Sequence, residues 1–150
     1  MISLRELRPD DAPAIQRIYS EPSVRHLPRP AMTATSATAW LTACMDEQRA
    51  VSRKLYCFGI DRTSDLIGVI KLRVEGTTAA LSCLLRDDTW GHGYATTAVA
   101  LILDFAFRTL RLTSVNAKHH PDNHASARVL TKTVFTRTGH CTYRAATVRS

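Results

Sequence analysis

The step Gly91-His92-Gly93 constrains this chain most, because it separates two kinds of periodicity. Before it, residues 55–60, 66–74 and 79–85 are short apolar runs divided by the turn signals Thr63-Ser64-Asp65 and Glu75-Gly76-Thr77. Such runs in succession predict an antiparallel meander. After it, residues 94–109 carry Ala98, Leu101, Ile102, Phe105 and Ala106 at helical spacing, followed by a short strand at Ser114–Lys118. A strand–helix–strand connection of this length joins parallel neighbours through a right-handed crossover. The sheet is therefore expected to be mixed, with a helix N-terminus brought to the end of a strand by glycines.

The remaining segments fill out the pattern. Ile2, Leu4 and Leu7 are read as one side of a first strand. Pro9-Asp10-Asp11 opens a helix with Asp10 or Asp11 as N-cap and Pro13 in its first turn. Ile15, Ile18 and Tyr19 carry its apolar face, and it is expected to end near Glu21-Pro22. Ala37, Trp40, Leu41, Cys44 and Met45 give residues 35–49 a single apolar face. Beyond a His119-His120-Pro121-Asp122 loop, residues 123–132 read as a helix and 135–148 as strand material broken at Gly139. The order β-α-α-β-β-β-α-β-α-β is α+β with a mixed sheet. With no repeat, linker or low-complexity segment, residues 1–150 are expected to form one domain.

The net charge of +7 suits an anionic cofactor, a nucleic acid or an acidic partner. Lys and Arg are scattered, with no run longer than Arg53-Lys54, which disfavours a dedicated nucleic-acid role. Cys44, Cys57, Cys83 and Cys141 show no CxxC and no zinc-like spacing, so no metal is expected. No secretory leader is legible at the N-terminus, and the apolar stretch 98–103 is too short to span a membrane. A reduced cytoplasmic protein without membrane attachment is expected.

A helix N-terminus has unpaired N–H groups and a partial positive charge, and glycines let a phosphate approach closely. By itself Gly-x-Gly also fits an ordinary turn before a core helix. There is no Gly-Lys-Ser/Thr, so this is not a Walker loop; and a meander precedes it, where a dinucleotide fold would place its first strand.

Trp90-Gly91-His92-Gly93-Tyr94-Ala95 resembles the Q/R-x-x-G-x-G/A acetyl-CoA loop of GNAT N-acetyltransferases, between that family's fourth strand and third helix. Trp at the first position resembles the Rim subgroup, which acetylates protein N-termini and related amines. Downstream, Asn123-His124-Ala125-Ser126-Ala127-Arg128-Val129-Leu130-Thr131-Lys132-Thr133-Val134-Phe135 is similar to that subgroup's N-x-x-S motif. The resemblance covers residues 2–140 and implies the GNAT acyl-CoA N-acyltransferase fold, a three-layer α/β sandwich type with a mixed central sheet flanked by about four helices. It implies that the N–H groups of Gly91, His92, Gly93, Tyr94, Ala95 and Thr96 hold the pyrophosphate of acetyl-CoA, beside Trp90. It implies pantetheine pairing with the backbone of Cys83, Leu84 and Leu85, a cofactor contact at Asn123, and phosphate contact at Arg128. Ser126 takes the place of a residue that protonates the leaving thiolate. Asn123 also fits a plain N-cap, and Arg128 a solvated side chain.

Departures from the family are specific. Leu130 stands where many members have an acidic Tyr, and Ala80 where the subgroup often has a Glu. Acetyl transfer to an amine needs a base for the ammonium. Glu21 is the first candidate, followed by His119, with Glu75, Asp87 and His120 behind them. The basic composition favours an acidic or neutral amine acceptor. The alternative reading is a catalytically weak acyl-CoA-binding module on the same fold. The resemblance leaves a homodimer open, since the last strands pair or swap in this fold.

Overall fold

The structure, a computed structural model, describes residues 1–146. Its elements are β1 (Ile2–Glu6), α1 (Ala12–Ile18), α2 (Ala34–Gln48), β2 (Leu55–Arg62), β3 (Asp65–Glu75), β4 (Thr78–Leu85), α3 (Tyr94–Asp104), β5 (Ser114–Lys118), α4 (His124–Thr131), β6 (Thr136–Arg137) and β7 (Thr142–Ala146). One seven-stranded sheet has the order β1-β2-β3-β4-β5-β7-β6. Only β4 and β5 run parallel; the other neighbours are antiparallel. The meander and the crossover expected from the glycine step are both present. The end of the expected tail strand, Thr147 and Val148, lies outside the described residues.

Local chemistry sets the boundaries. Thr33 caps α2, its hydroxyl accepting from Ser36 N–H at 3.1 Å while Ser36 Oγ accepts from Thr33 N–H at 2.8 Å. Thr63 and Ser64 both take positive φ, 51° and 69°, which turns β2 tightly into β3. α1 stops at Ile18, short of the expected Glu21-Pro22. The chain leaves the helix at Tyr19, whose N–H donates to Ile15 C=O at 3.0 Å. α3 continues from Phe105 to Thr109 as a wider π-helical turn, completing the expected span.

Two apolar clusters cover the two faces of the sheet. One packs Ile60, Ile70 and Leu72 against Ala98, Val99 and Ile102 of α3. The other packs Cys57 and Val69 against Ile15 and Ile18 of α1 and Leu41 of α2. Leu7 belongs to the second cluster and Ile2 to the first, so Leu7 does not share a face with Ile2. Five residues separate them, and strand alternation puts an odd offset on opposite faces. Leu101 is 41% exposed; Val99 and Leu103 occupy the buried stripe that the sequence reading gave to it. The register between β2 and β3 shifts at Ile60/Asp61. This bulge lets Leu66 and Ile67 serve opposite clusters out of step with Val69 and Ile70 beyond it.

A charged network ties β1 to the start of α1. Arg5 donates to both oxygens of Asp11, at 2.9 and 3.0 Å, and to Asp61 at 2.9 Å. Asp11 also accepts from Arg8 N–H at 2.7 Å. Burial disfavours the Asp11 carboxylate, but the Arg5 guanidinium and the Arg8 N–H outweigh it and hold its pKa below the usual value. A depressed carboxyl pKa contributes stability that is complete above the unfolded value near 3.9 and is lost as the pH falls through the folded value. Arg5→Met is expected to cost about 3 kcal/mol at neutral pH by leaving Asp11 buried and unpaired. In urea titrations that difference is expected to shrink below about pH 4, where Asp11 protonates.

Candidate active site

β4 follows β3 as far as Leu85, opposite Gly68, but pairs with β5 only from Thr78 to Leu81, opposite Ser114 to Ala117. Past Leu81 the strands part. β5 keeps its other neighbour: Lys118 lies opposite Thr142, and His119 N–H donates to Cys141 C=O at 3.1 Å. Residues 82–85 therefore carry a row of backbone groups with no ladder partner on the β5 side. Gly68 permits the tight register at this end, since a Cβ there would lie 2.5 Å from the Leu84 carbonyl oxygen.

The gap opens into a cavity of about 510 Å³. Cys83, Leu84 and Leu85 form one wall; Trp90, Gly91, Gly93, Tyr94, Ala95 and Thr96 form a second; Asn123, Ser126 and Arg128 form a third. Gly91 and Gly93 sit at φ 81° and 78°. A Cβ at either would meet nothing within 4 Å, so conformation and not space demands glycine there. Gly93 is the N-cap of α3 and supplies no side-chain acceptor. The first helical bond is Thr97 N–H to Gly93 C=O at 3.2 Å, so the first-turn N–H groups face the cavity without intrahelical partners.

The approach to this loop is fixed from below. Arg86 N–H donates to Ile67 C=O at 2.8 Å, and the Arg86 guanidinium bridges Asp65 and Asp88. That guanidinium holds both carboxyls below their usual pKa. Thr89 Oγ1 donates to Arg86 C=O at 2.6 Å, and Trp90 Nε1 donates to Leu85 C=O at 3.1 Å. Trp90 is 45% exposed, so its anchor is the indole N–H more than burial. On the opposite wall Asn123 Oδ1 accepts Ser126 N–H at 3.1 Å and caps α4.

This architecture is found in known proteins. Residues 2–136 match the acetyltransferase (GNAT) domain. The chain belongs to the GNAT acetyltransferase family. It is 24% identical over 143 residues to the uncharacterized N-acetyltransferase p20 of Bacillus licheniformis, across 92% of this chain and 80% of that protein. Among solved structures, a GNAT-family acetyltransferase from Bacillus anthracis superposes with a TM-score of 0.84 at 18% identity, over 97% of this chain and 94% of that one. RimJ of Mycobacterium smegmatis, in complex with CoA-disulfide, gives 0.82 at 23% identity, over 97% and 81%.

Not every residue singled out from the sequence of this N-acetyltransferase reaches the cavity. His92 is exposed and stacks on Tyr94 with ring centroids 5.5 Å apart, outside the lining. Glu21 is exposed and also outside it. His119 follows β5, which stops at Lys118, and its Nε2 lies 3.3 Å from the Tyr143 hydroxyl, away from the cavity. Leu130, at the family's Tyr position, does line the cavity. Ser23, Arg25 and His26 line it too, though nothing in their local sequence marks them. His26 stacks on His120 at 5.1 Å, which links the α1–α2 connection to the loop after β5. Ser23 Oγ is the one buried side-chain polar atom without a hydrogen-bond partner among the described residues.

A second cavity of about 200 Å³ lies on the α1 side of β4 and shares Ser82, Cys83 and Leu84 with the first. Burial pushes the Cys83 thiol up to about 12.

Gly93→Ala is expected to cost about 1–2 kcal/mol in denaturant unfolding, through the left-handed φ alone. Ser23→Ala is expected to leave unfolding within about 0.5 kcal/mol of the parent or to stabilise it, because it removes an unpaired buried hydroxyl.

Proposed function

We propose that this protein transfers the acetyl group of acetyl-CoA to a primary amine, by direct attack in a ternary complex. The observation that carries the reading is the unpaired edge of residues 82–85 running into the glycine-entered N-terminus of α3. Pantetheine is a strand-like chain with two amides, and such an edge offers it N–H and C=O partners. The α3 N-terminus offers N–H groups and dipole to a pyrophosphate. Arg128 and Lys132, both in the lining, supply further positive charge. The CoA-disulfide in the RimJ structure supports the same cofactor class here.

In this reading the amine nitrogen attacks the thioester carbon, forming the C–N bond. A backbone N–H of β4 takes the developing oxyanion. The C–S bond then breaks, and the CoA thiolate receives a proton. Ser126 is the proposed donor, since it lines the cavity where Leu130 offers no phenol. Cys83 stands between the two cavities, yet with its pKa raised to about 12 it stays a thiol at neutral pH. That disfavours an acetyl-cysteine intermediate and favours direct transfer. The ammonium loses its proton to a group near the cavity, through water where the distance requires it. His26, in the wall, is the best placed candidate; Glu21 and His119, which lie outside the lining, require water between them and the amine.

Titration with acetyl-CoA by calorimetry is expected to give micromolar binding that Gly93→Glu abolishes, because a carboxylate there repels the pyrophosphate. Free-thiol release with an amine panel then separates turnover from mere binding. Leu130 favours the second reading, an acyl-CoA-binding module, and binding without thiol release from any amine would select it. With an active acceptor, Ser126→Ala and His26→Gln are each expected to lower kcat by about 100-fold.

A further inference from the structure

We propose that the second cavity holds the acceptor and that Arg29 and Lys71 bind an anionic group on it, so that the substrate is a small amine bearing a carboxylate. The proposal rests on the acetyltransferase reading above and names its acceptor.

The position of the cavity comes first. It shares Ser82, Cys83 and Leu84 with the larger cavity, so the two lie on either side of the end of β4, beside the unpaired edge of residues 82–85. A molecule seated here reaches the thioester from the α1 side while CoA occupies the α3 side. The amine nitrogen adds to the acetyl carbon, the C–S bond then breaks, and the proton that the amine gives up to a base is balanced by the one that the CoA thiolate gains.

Charge comes second. Arg29 and Lys71 are the charged residues of the lining, and no acid accompanies them. Among the described residues neither enters an ion pair. Aromatic rings hold them in place. The Arg29 guanidinium lies 5.5 Å from the Tyr19 ring centroid, and Lys71 Nζ lies 5.8 Å from that of Trp40. The two rings pack against each other at 5.2 Å. Cation–π contact positions a cation but leaves its charge available, unlike a carboxylate partner. Lys71 is half-buried on the interior strand β3, where an unpaired ammonium is costly, and a bound anion offsets that cost. Burial pushes the Tyr19 phenol upward in pKa, so it stays a hydrogen-bond donor, the polarity an anion needs.

Size comes third. Drug-sized ligands occupy about 300–1,000 Å³, so a pocket of about 200 Å³ suits a molecule of amino-acid dimensions. A polyamine would set its ammonium groups against two fixed cations, and a whole aminoglycoside exceeds the space.

The test compares amino acids with their carboxamides, which keep the amine and lose the charge. Spermidine and peptides with an acidic second residue complete the panel. Thiol release is read at saturating acetyl-CoA. We expect the carboxylate to be preferred at least about tenfold in kcat/KM. Arg29→Gln and Lys71→Met are expected to bring that ratio close to one, mainly through KM, with acetyl-CoA affinity by calorimetry within about threefold of the parent. Arg29→Lys, at an exposed position, is expected to retain the preference. A parent ratio near one, a preference for the amide or spermidine, or a preference that survives both charge removals overturns the proposal while acetyl-CoA binding upholds the broader reading. Turnover of acidic peptides but not of free amino acids also overturns it, moving the carboxylate to a polypeptide. Absence of acetyl-CoA binding to the parent defeats both.

Discussion

Everything functional in this molecule depends on one broken pairing. β4 and β5 are joined from Thr78 to Leu81 and then diverge, each staying with its outer neighbour. The break leaves backbone groups that a continuous sheet would consume without partners along one edge of β4. The two cavities flank the end of β4, and both are lined by Ser82 to Leu84.

The glycine loop extends the same logic. Residues 82–85 offer unpaired groups along a strand, and α3 begins with unpaired N–H groups at a turn. Between them Arg86, Thr89 and Trp90 fasten the connection by hydrogen bonds, largely to backbone carbonyls and the Asp65 and Asp88 carboxylates. Rigid support beside open backbone groups is what a preorganised site requires. The Arg5–Asp11–Asp61 network and the two apolar clusters stabilise the surrounding layers.

The site has unequal parts. The side lined by α3 and α4 is rich in specific features: positive-φ glycines, a capped α4, a free strand edge. The acid–base side is sparse. Leu130 puts a hydrocarbon in the cavity wall, and of the candidate proton carriers Glu21, His26 and His119 belong to loops while Ser126 sits in α4. Loop residues acquire position only from what they pack against, as the His26–His120 stack illustrates.

The sequence by itself determined the element order, the mixed sheet and the glycine turn before α3. These follow from local periodicity, turn residues and a glycine requirement that is local in φ. It erred where neighbours decide. Leu7 changed cluster because alternation was read past the end of β1, and Leu101 turned outward because a helix apolar on several sides leaves its buried stripe to packing. Ser23, His26, Arg29 and Lys71 carry no motif; they come from an irregular connection and an interior strand. Only the folded chain brings them to the gap beside β4, because contacts across the sheet depend on how far one strand follows its neighbour, and no local pattern of residues encodes that distance.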